Sequence, residues 1–213
     1  AEFGDTYAAA PEGEVCVKKW IDYSTKYGLG YLLSNGCTGV FFNDCTKIIY
    51  NVARDYFEYY ERRSNEAADA DVCYYVRSYP RELHKKVTLL LHFRSYLENI
   101  KTAPSTPTEG AQQVPAGERD ERKGVYLKKW MKTNHASLLR LSNKIVQVAF
   151  QDSTEIILSS ESKKVTFVNK SGDRLRYDLS AALESDNAEM KKRLKYTKEI
   201  LTYMLNNRNP PAS

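Results

Sequence analysis

Val40-Phe41-Phe42-Asn43-Asp44-Cys45-Thr46-Lys47-Ile48-Ile49 and Val148-Ala149-Phe150-Gln151-Asp152-Ser153-Thr154-Glu155-Ile156-Ile157 are one motif written twice. Val40, Phe42, Asp44, Thr46, Ile48 and Ile49 each recur 108 positions later (148 minus 40). Upstream of it, Val17-Lys18-Lys19-Trp20 recurs as Leu127-Lys128-Lys129-Trp130, and Leu33-Ser34-Asn35 as Leu141-Ser142-Asn143. A near-constant offset over that many identities means internal duplication, and the offset is the size of a small domain.

Between the copies, residues 102–124 carry Pro104, Pro107, Pro115, Gly110, Gly117 and Gly124 with Ser, Thr, Gln and charges. Such a composition buries little surface and predicts a flexible linker. The organisation expected is therefore a tag or linker over 1–14, a first repeat over 15–101, the linker over 102–124, a second repeat over 125–206 and a disordered tail over 207–213. The Ala1-Glu2-Phe3 start reads as a cloning remnant.

Inside each repeat the period is that of strands. Val146, Val148 and Phe150 alternate with Gln147, Ala149 and Gln151, the pattern of a strand with one buried face. Asn35-Gly36, Ser142-Asn143-Lys144 and Ser171-Gly172-Asp173 are turn chemistry. Residues 163–168 and 174–179 read as the arms of one hairpin. Each repeat then closes with a helix. Pro80 opens the first, with Leu83, Val87, Leu90, Arg94 and Leu97 at steps of three and four. In the second, Asp186 and Glu189 have capping-box spacing, and Met190, Leu194, Thr197, Leu201 and Leu205 form one stripe. Strands then helix, twice, is an α+β architecture with mostly antiparallel sheets.

Composition excludes several classes. The net charge of +5, from 32 basic and 27 acidic residues, is too mild and too scattered for a nucleic-acid binder. No apolar run approaches the ~20 residues of a membrane span, and no signal peptide opens the chain. Cys16, Cys37, Cys45 and Cys73 show no CxxC pairing, and the second repeat has none, so reduced and mostly buried thiols of an intracellular protein are expected. The three histidines, His84, His92 and His135, lack metal-ligand spacing. Gly28-Leu29-Gly30 lacks the third glycine of a phosphate loop and reads as a turn in an extended segment. No nucleophile elbow, Walker or kinase catalytic motif is present. Neither a catalytic residue, a metal nor a cofactor is expected. Aromatics, lysines and glycines interleave from Lys19 to Tyr31, which suits either an ordinary first strand or an aromatic-walled peptide groove.

Trp20-Ile21-Asp22-Tyr23-Ser24-Thr25-Lys26-Tyr27-Gly28-Leu29-Gly30-Tyr31 resembles the opening of the first polo box of polo-like serine/threonine kinases. So do residues 40–46 and the helix segment 85–96, while residues 126–130 and 141–154 resemble the second polo box. The resemblance covers roughly residues 15–206. It implies two tandem polo boxes, each a six-stranded antiparallel sheet with a C-terminal helix, packed together as a sandwich with a ligand groove between them. It implies a non-catalytic module that docks serine–phosphothreonine peptides, directs the kinase to mitotic, centrosomal, basal-body or other cytoskeletal structures in the cytoplasm, and restrains the kinase domain of the same protein. Homodimerisation is a further expectation, since divergent polo boxes self-associate.

Carried over position by position, Trp20 matches the groove tryptophan, Ile21 and Asp22 the positions whose backbones bind peptide, Leu33 an apolar groove position and Phe150 a groove aromatic. Lys132 falls where the family has an arginine near the groove. The departure is at the phosphate pincer, a histidine and a lysine in the family, which is Ser153 and Glu155 here. A phosphate carries about −1.5 to −2 charges at neutral pH. A like-charge pair at ~4 Å costs roughly 4 kcal/mol at an effective dielectric near 20, an upper bound because Glu155 could rotate away. Micromolar binding is worth only about 8 kcal/mol. Weak or absent phosphate dependence is thus expected, with Lys132 or Lys144 as the alternative phosphate contacts. The altered pincer suits a divergent member, such as a protozoan one.

Overall fold

A computed structural model describes residues 2–5, 14–62, 72–121 and 124–206. The described residues fall into two compact units, one drawn from Ala1–Asp5 and Ala9–Tyr126 and the other containing Leu127–Ser213. Most of the expected leading segment and the expected tail over 207–213 lie outside the described residues.

In the first unit the strands follow chain order as an antiparallel meander. They are β1 (Glu2–Asp5), β2 (Val17–Tyr23), β3 (Gly28–Leu33), β4 (Thr38–Phe42), β5 (Lys47–Asn51), β6 (Tyr56–Tyr60) and β7 (Val72–Tyr75). Six strands were expected; the seventh, β1, comes from the segment read as a cloning remnant. A 3-10 turn at Arg81–Leu83 then leads into α1 (His84–Glu98). That helix ends at Asn99, whose left-handed backbone (φ 52°) is tolerated by asparagine better than by most residues.

Helix α1 lies across β2–β5. Val87, Leu90, Leu91, Phe93 and Leu97 meet Ile21, Leu32, Val40, Phe42, Ile48 and Phe57 in one core. Close approach depends on Gly30. A Cβ there would sit 2.3 Å from the Phe93 ring, so the bare backbone lets the helix down onto the sheet. Gly30→Val is expected to cost about 1–3 kcal/mol through overpacking. Thermal denaturation checks this, and an unchanged melting temperature would refute it.

The 102–124 segment is more fastened than its composition predicts. Val114 is buried against Tyr56 and Cys73, and its N–H bonds the Cys73 carbonyl at 2.9 Å. Thr108 N–H bonds the Tyr79 carbonyl, Asp120 N–H the Tyr56 hydroxyl, and Arg54 the Glu118 carbonyl. One apolar residue in a polar stretch suffices when backbone bonds flank it.

The second unit is a six-stranded antiparallel meander: β8 (Leu127–Lys132), β9 (Ala136–Leu141), β10 (Ile145–Phe150), β11 (Glu155–Ser159), β12 (Lys164–Val168) and β13 (Arg174–Asp178). A short helix that periodicity did not predict, α2 (Leu179–Glu184), precedes α3 (Ala188–Asn206). The N-terminal cap differs from expectation. Asn187, not Asp186, takes the Met190 N–H on its side-chain oxygen at 3.0 Å. The buried stripe is Met190, Leu194, Thr197, Ile200 and Met204, while Leu205 is exposed. Steps of four drift off a 3.6-residue turn, which carries Leu205 out of the core face.

Val146, Val148 and Phe150 share one buried face, as the alternation predicts, and α3 packs on it. The opposite face of the sheet is also buried, however, with Leu139, Leu141, Ile145, Gln147, Glu155 and Ile157 all shielded from solvent. All four cysteines are free; Cys16 and Cys73 are buried, and Cys37 and Cys45 are half-buried. Burial pushes the Cys73 thiol up to about 11.

Candidate functional site

Trp20, Ile21 and Asp22 are consecutive on β2, so their side chains alternate. Ile21 points into the α1 core. Trp20 therefore takes the opposite face, where its cross-strand partner is Tyr31. It is 8% exposed, and Leu33 at the end of β3 is 1% exposed. Asp22 folds back on its own turn, its carboxylate accepting the Ser24 N–H at 3.0 Å and the Ser24 hydroxyl at 2.6 Å. What Ile21 and Asp22 offer a neighbouring strand is backbone. On its other side β2 already carries β1, in the register Glu2↔Asp22, Phe3↔Ile21, Gly4↔Trp20 and Asp5↔Lys19.

The second repeat's candidate residues sit on and near the turn between β10 and β11. Asp152 accepts the Thr154 N–H at 3.1 Å and the Thr154 hydroxyl at 2.6 Å. Ser153 stands in the left-handed region (φ 69°) and is exposed. Arg193 of α3 holds the turn from below. It pairs with the other Asp152 oxygen, donates to the Thr154 hydroxyl at 3.1 Å and lies over the Phe150 ring at 5.0 Å. Partial burial works against the Asp152 carboxylate, but the Thr154 donors and Arg193 outweigh it and hold its pKa below the usual value.

The first repeat builds the same device. Cys45 is left-handed (φ 68°), Asp44 accepts the Thr46 N–H at 3.0 Å and hydroxyl at 2.6 Å, and Lys86 of α1 meets Asp44 at 2.7 Å under the Phe42 ring. Burial likewise opposes the Asp44 charge, and Lys86 and Thr46 overcome it, so its pKa also falls. Lys86 and Arg193 were not singled out from the sequence. The signal was available: a cation on each closing helix, at nearly the repeat offset, facing the repeated Asp-x-Thr.

The expected site residues separate on this frame. Phe150 packs against Tyr196 and Arg193 on the helix side of the sheet. Glu155 lies on the opposite face, opposite Ala149, so the two do not share a surface. Glu155 has not rotated into solvent. It is 4% exposed and accepts a hydrogen bond from Gln147 at 3.3 Å. Burial pushes its carboxyl up to about 7, with Gln147 and Arg174 only partly countering it. Lys144 sits at the start of β10 and Ser153 just past its end, roughly 20 Å apart for six residues of strand. Lys132, at the end of β8, lies at the same end of the sheet as Ser153. There the β8–β9 loop touches the β10–β11 turn through the Gln151 N–H to the His135 carbonyl at 3.0 Å. A cleft of about 400 Å³ opens beside Lys132, lined by Met131, Thr133, Glu199, Ile200 and Tyr203.

Among the described residues no His, Cys, Asp and Glu cluster could hold a metal ion. No described helix is long and apolar enough to cross a membrane.

The family model described as POLO box duplicated region matches residues 25–87 and 133–194. The chain is 52% identical over 155 residues to a probable serine/threonine-protein kinase CCRP1 of Zea mays, covering 73% of this chain and 24% of that protein. It is 36% identical over 203 residues to the serine/threonine-protein kinase PLK1 of Xenopus laevis, covering 92% of this chain and 31% of that one. It thus spans about a quarter to a third of these relatives' length. Among solved structures, the budding yeast Cdc5 polo-box domain in complex with an Spc72 phosphopeptide superposes with a TM-score of 0.69 at 25% identity, covering 89% of this chain and 71% of that one.

Proposed function

The chain belongs to the polo-box family, and from that premise we propose that it is the peptide-binding targeting module of a polo-like kinase whose grip on phosphate is weak or absent. In this reading the module reads an extended segment through the β2 backbone beside Trp20 and Leu33, brings its kinase to mitotic or cytoskeletal structures, and restrains the kinase domain. The Spc72 phosphopeptide bound by the yeast relative supports a peptide as the ligand class.

The observation that carries the loss of phosphate dependence is Glu155. Where the family's resemblance places a lysine, this chain buries a carboxyl whose pKa burial pushes up to about 7. It offers a phosphate no positive charge, and its ionised form would repel one. Ser153 offers a hydroxyl in place of an imidazole.

The test is a titration with a Ser-pThr peptide and its unphosphorylated twin. The two are expected to bind within about threefold of each other, less than ~1 kcal/mol. Ser153→His with Glu155→Lys is expected to raise the preference for the phosphopeptide by about tenfold or more. A strong phosphate preference in the unaltered chain would overturn the reading. Lys132 would then be the cation to reverse, because it shares a sheet end with Ser153 while Lys144 does not.

A further inference from the structure

Strand β1 occupies the same stretch of backbone that the proposed function assigns to a ligand. Its four residues pair with Lys19–Asp22, so the outer edge of β2 at Trp20, Ile21 and Asp22 is already bonded to a segment of the same chain. The register puts Gly4 opposite Trp20. A Cβ on Gly4 would lie 1.9 Å from two carbons of the indole ring. Trp20 is buried and its strand is fixed by Ile21 in the core, so the ring cannot swing freely aside. Glycine is therefore the residue that lets an antiparallel strand close on this edge while Trp20 stays in place.

We propose that residues 2–5 are an in-chain occupant of the β2 edge, a strand-shaped competitor that an incoming peptide must displace, and that the edge selects strands with glycine opposite Trp20. The inference rests on the reading of β2 as the ligand edge. Strand addition supplies affinity through main-chain bonds, and the side-chain register supplies selectivity. A segment tethered this closely to its acceptor competes at an effective concentration on the order of millimolar. Weak ligands would be excluded and strong ones admitted, which sets a threshold for capture.

The experiment uses the full chain and its Gly4→Val variant, with a labelled synthetic peptide copying residues 1–8 as the probe. The added side chain should lift the in-chain strand. The peptide is then expected to bind Gly4→Val about tenfold or more tighter than the unaltered chain. The same peptide carrying G4V is expected to bind neither. Hydrogen exchange at the Trp20–Asp22 amides should speed up in Gly4→Val and slow again when the peptide is added. Equal binding to both chains with unchanged exchange overturns the proposal, as does equal binding by the G4V peptide. Phosphate dependence is read from the separate peptide twins. A phosphate preference there would overturn the phosphate-independent reading and leave this competition standing, whereas equal binding to both chains with unchanged exchange would overturn the competition and leave that reading standing.

Discussion

At about pH 8.5, Glu155→Gln is expected to raise the free energy of unfolding by about 3 kcal/mol, and at about pH 4.5 to leave it nearly unchanged. The buried carboxyl titrates at about 7 in the folded chain against an ordinary value of 4.5. Between those values the folded state holds a proton that the unfolded state has released. Stability therefore falls as pH rises through that window, and the full penalty stands above it. At roughly 1.4 kcal/mol per pH unit the window is worth about 3 kcal/mol. Glutamine is neutral at every pH and keeps a partner for Gln147, so it escapes the penalty. Asp44 and Asp152 act in the opposite sense. Their pKa values are lowered, so the stability they contribute is present above the ordinary carboxylate value and lost only on further acidification. Urea denaturation of both chains at the two pH values separates the effects. A Glu155→Gln difference independent of pH would mean that Glu155 is not a buried acid.

The same residue shows where sequence reading stops. The repeat, its strands and its two closing helices were legible because periodicity and turn chemistry are local. Val148 and Phe150 were placed on one buried face by alternation alone, and they share a core there. Alternation with Gln147 and Ala149 also implied an open second face, and Gln147 is 1% exposed. A period of two reports which side chains share a face, not what covers the other one. The sequence left Glu155 able to rotate away, and it is buried instead. Its hydrogen-bond partner there is Gln147, on the neighbouring strand eight positions away, which no local pattern connects to it. Phe150 was assigned to the ligand groove by family position, and no local pattern showed that it would pack under Arg193. The β1 strand was illegible for a different reason: in Glu2-Phe3-Gly4-Asp5 only Phe3 favours a strand. Its pairing is supplied by the edge it meets.

Trp20→Ala is expected to cost about 3–5 kcal/mol of stability and to weaken peptide capture by about 30-fold or more. The two losses have different origins. The stability loss follows from a buried indole that faces Tyr31 across β3 and Gly4 across β1. Removing it leaves a cavity that a strand pinned by Ile21 cannot close. The capture loss follows from the proposed site, where the indole is the aromatic wall beside the β2 edge. Destabilisation alone could mimic weak binding, so the comparison needs a variant with the first loss and not the second. Leu194→Ala serves: it truncates the α3 core of the second unit, at an expected cost of about 2–5 kcal/mol, and leaves the first unit's β2 edge intact. Measured well below both melting temperatures, Leu194→Ala should bind the unphosphorylated peptide like the unaltered chain while Trp20→Ala should not. Trp20→Phe should fall between, since it keeps a ring but loses area. Unaltered affinity in Trp20→Ala, or an equal loss in Leu194→Ala, would remove Trp20 from the binding surface and reduce its role to packing.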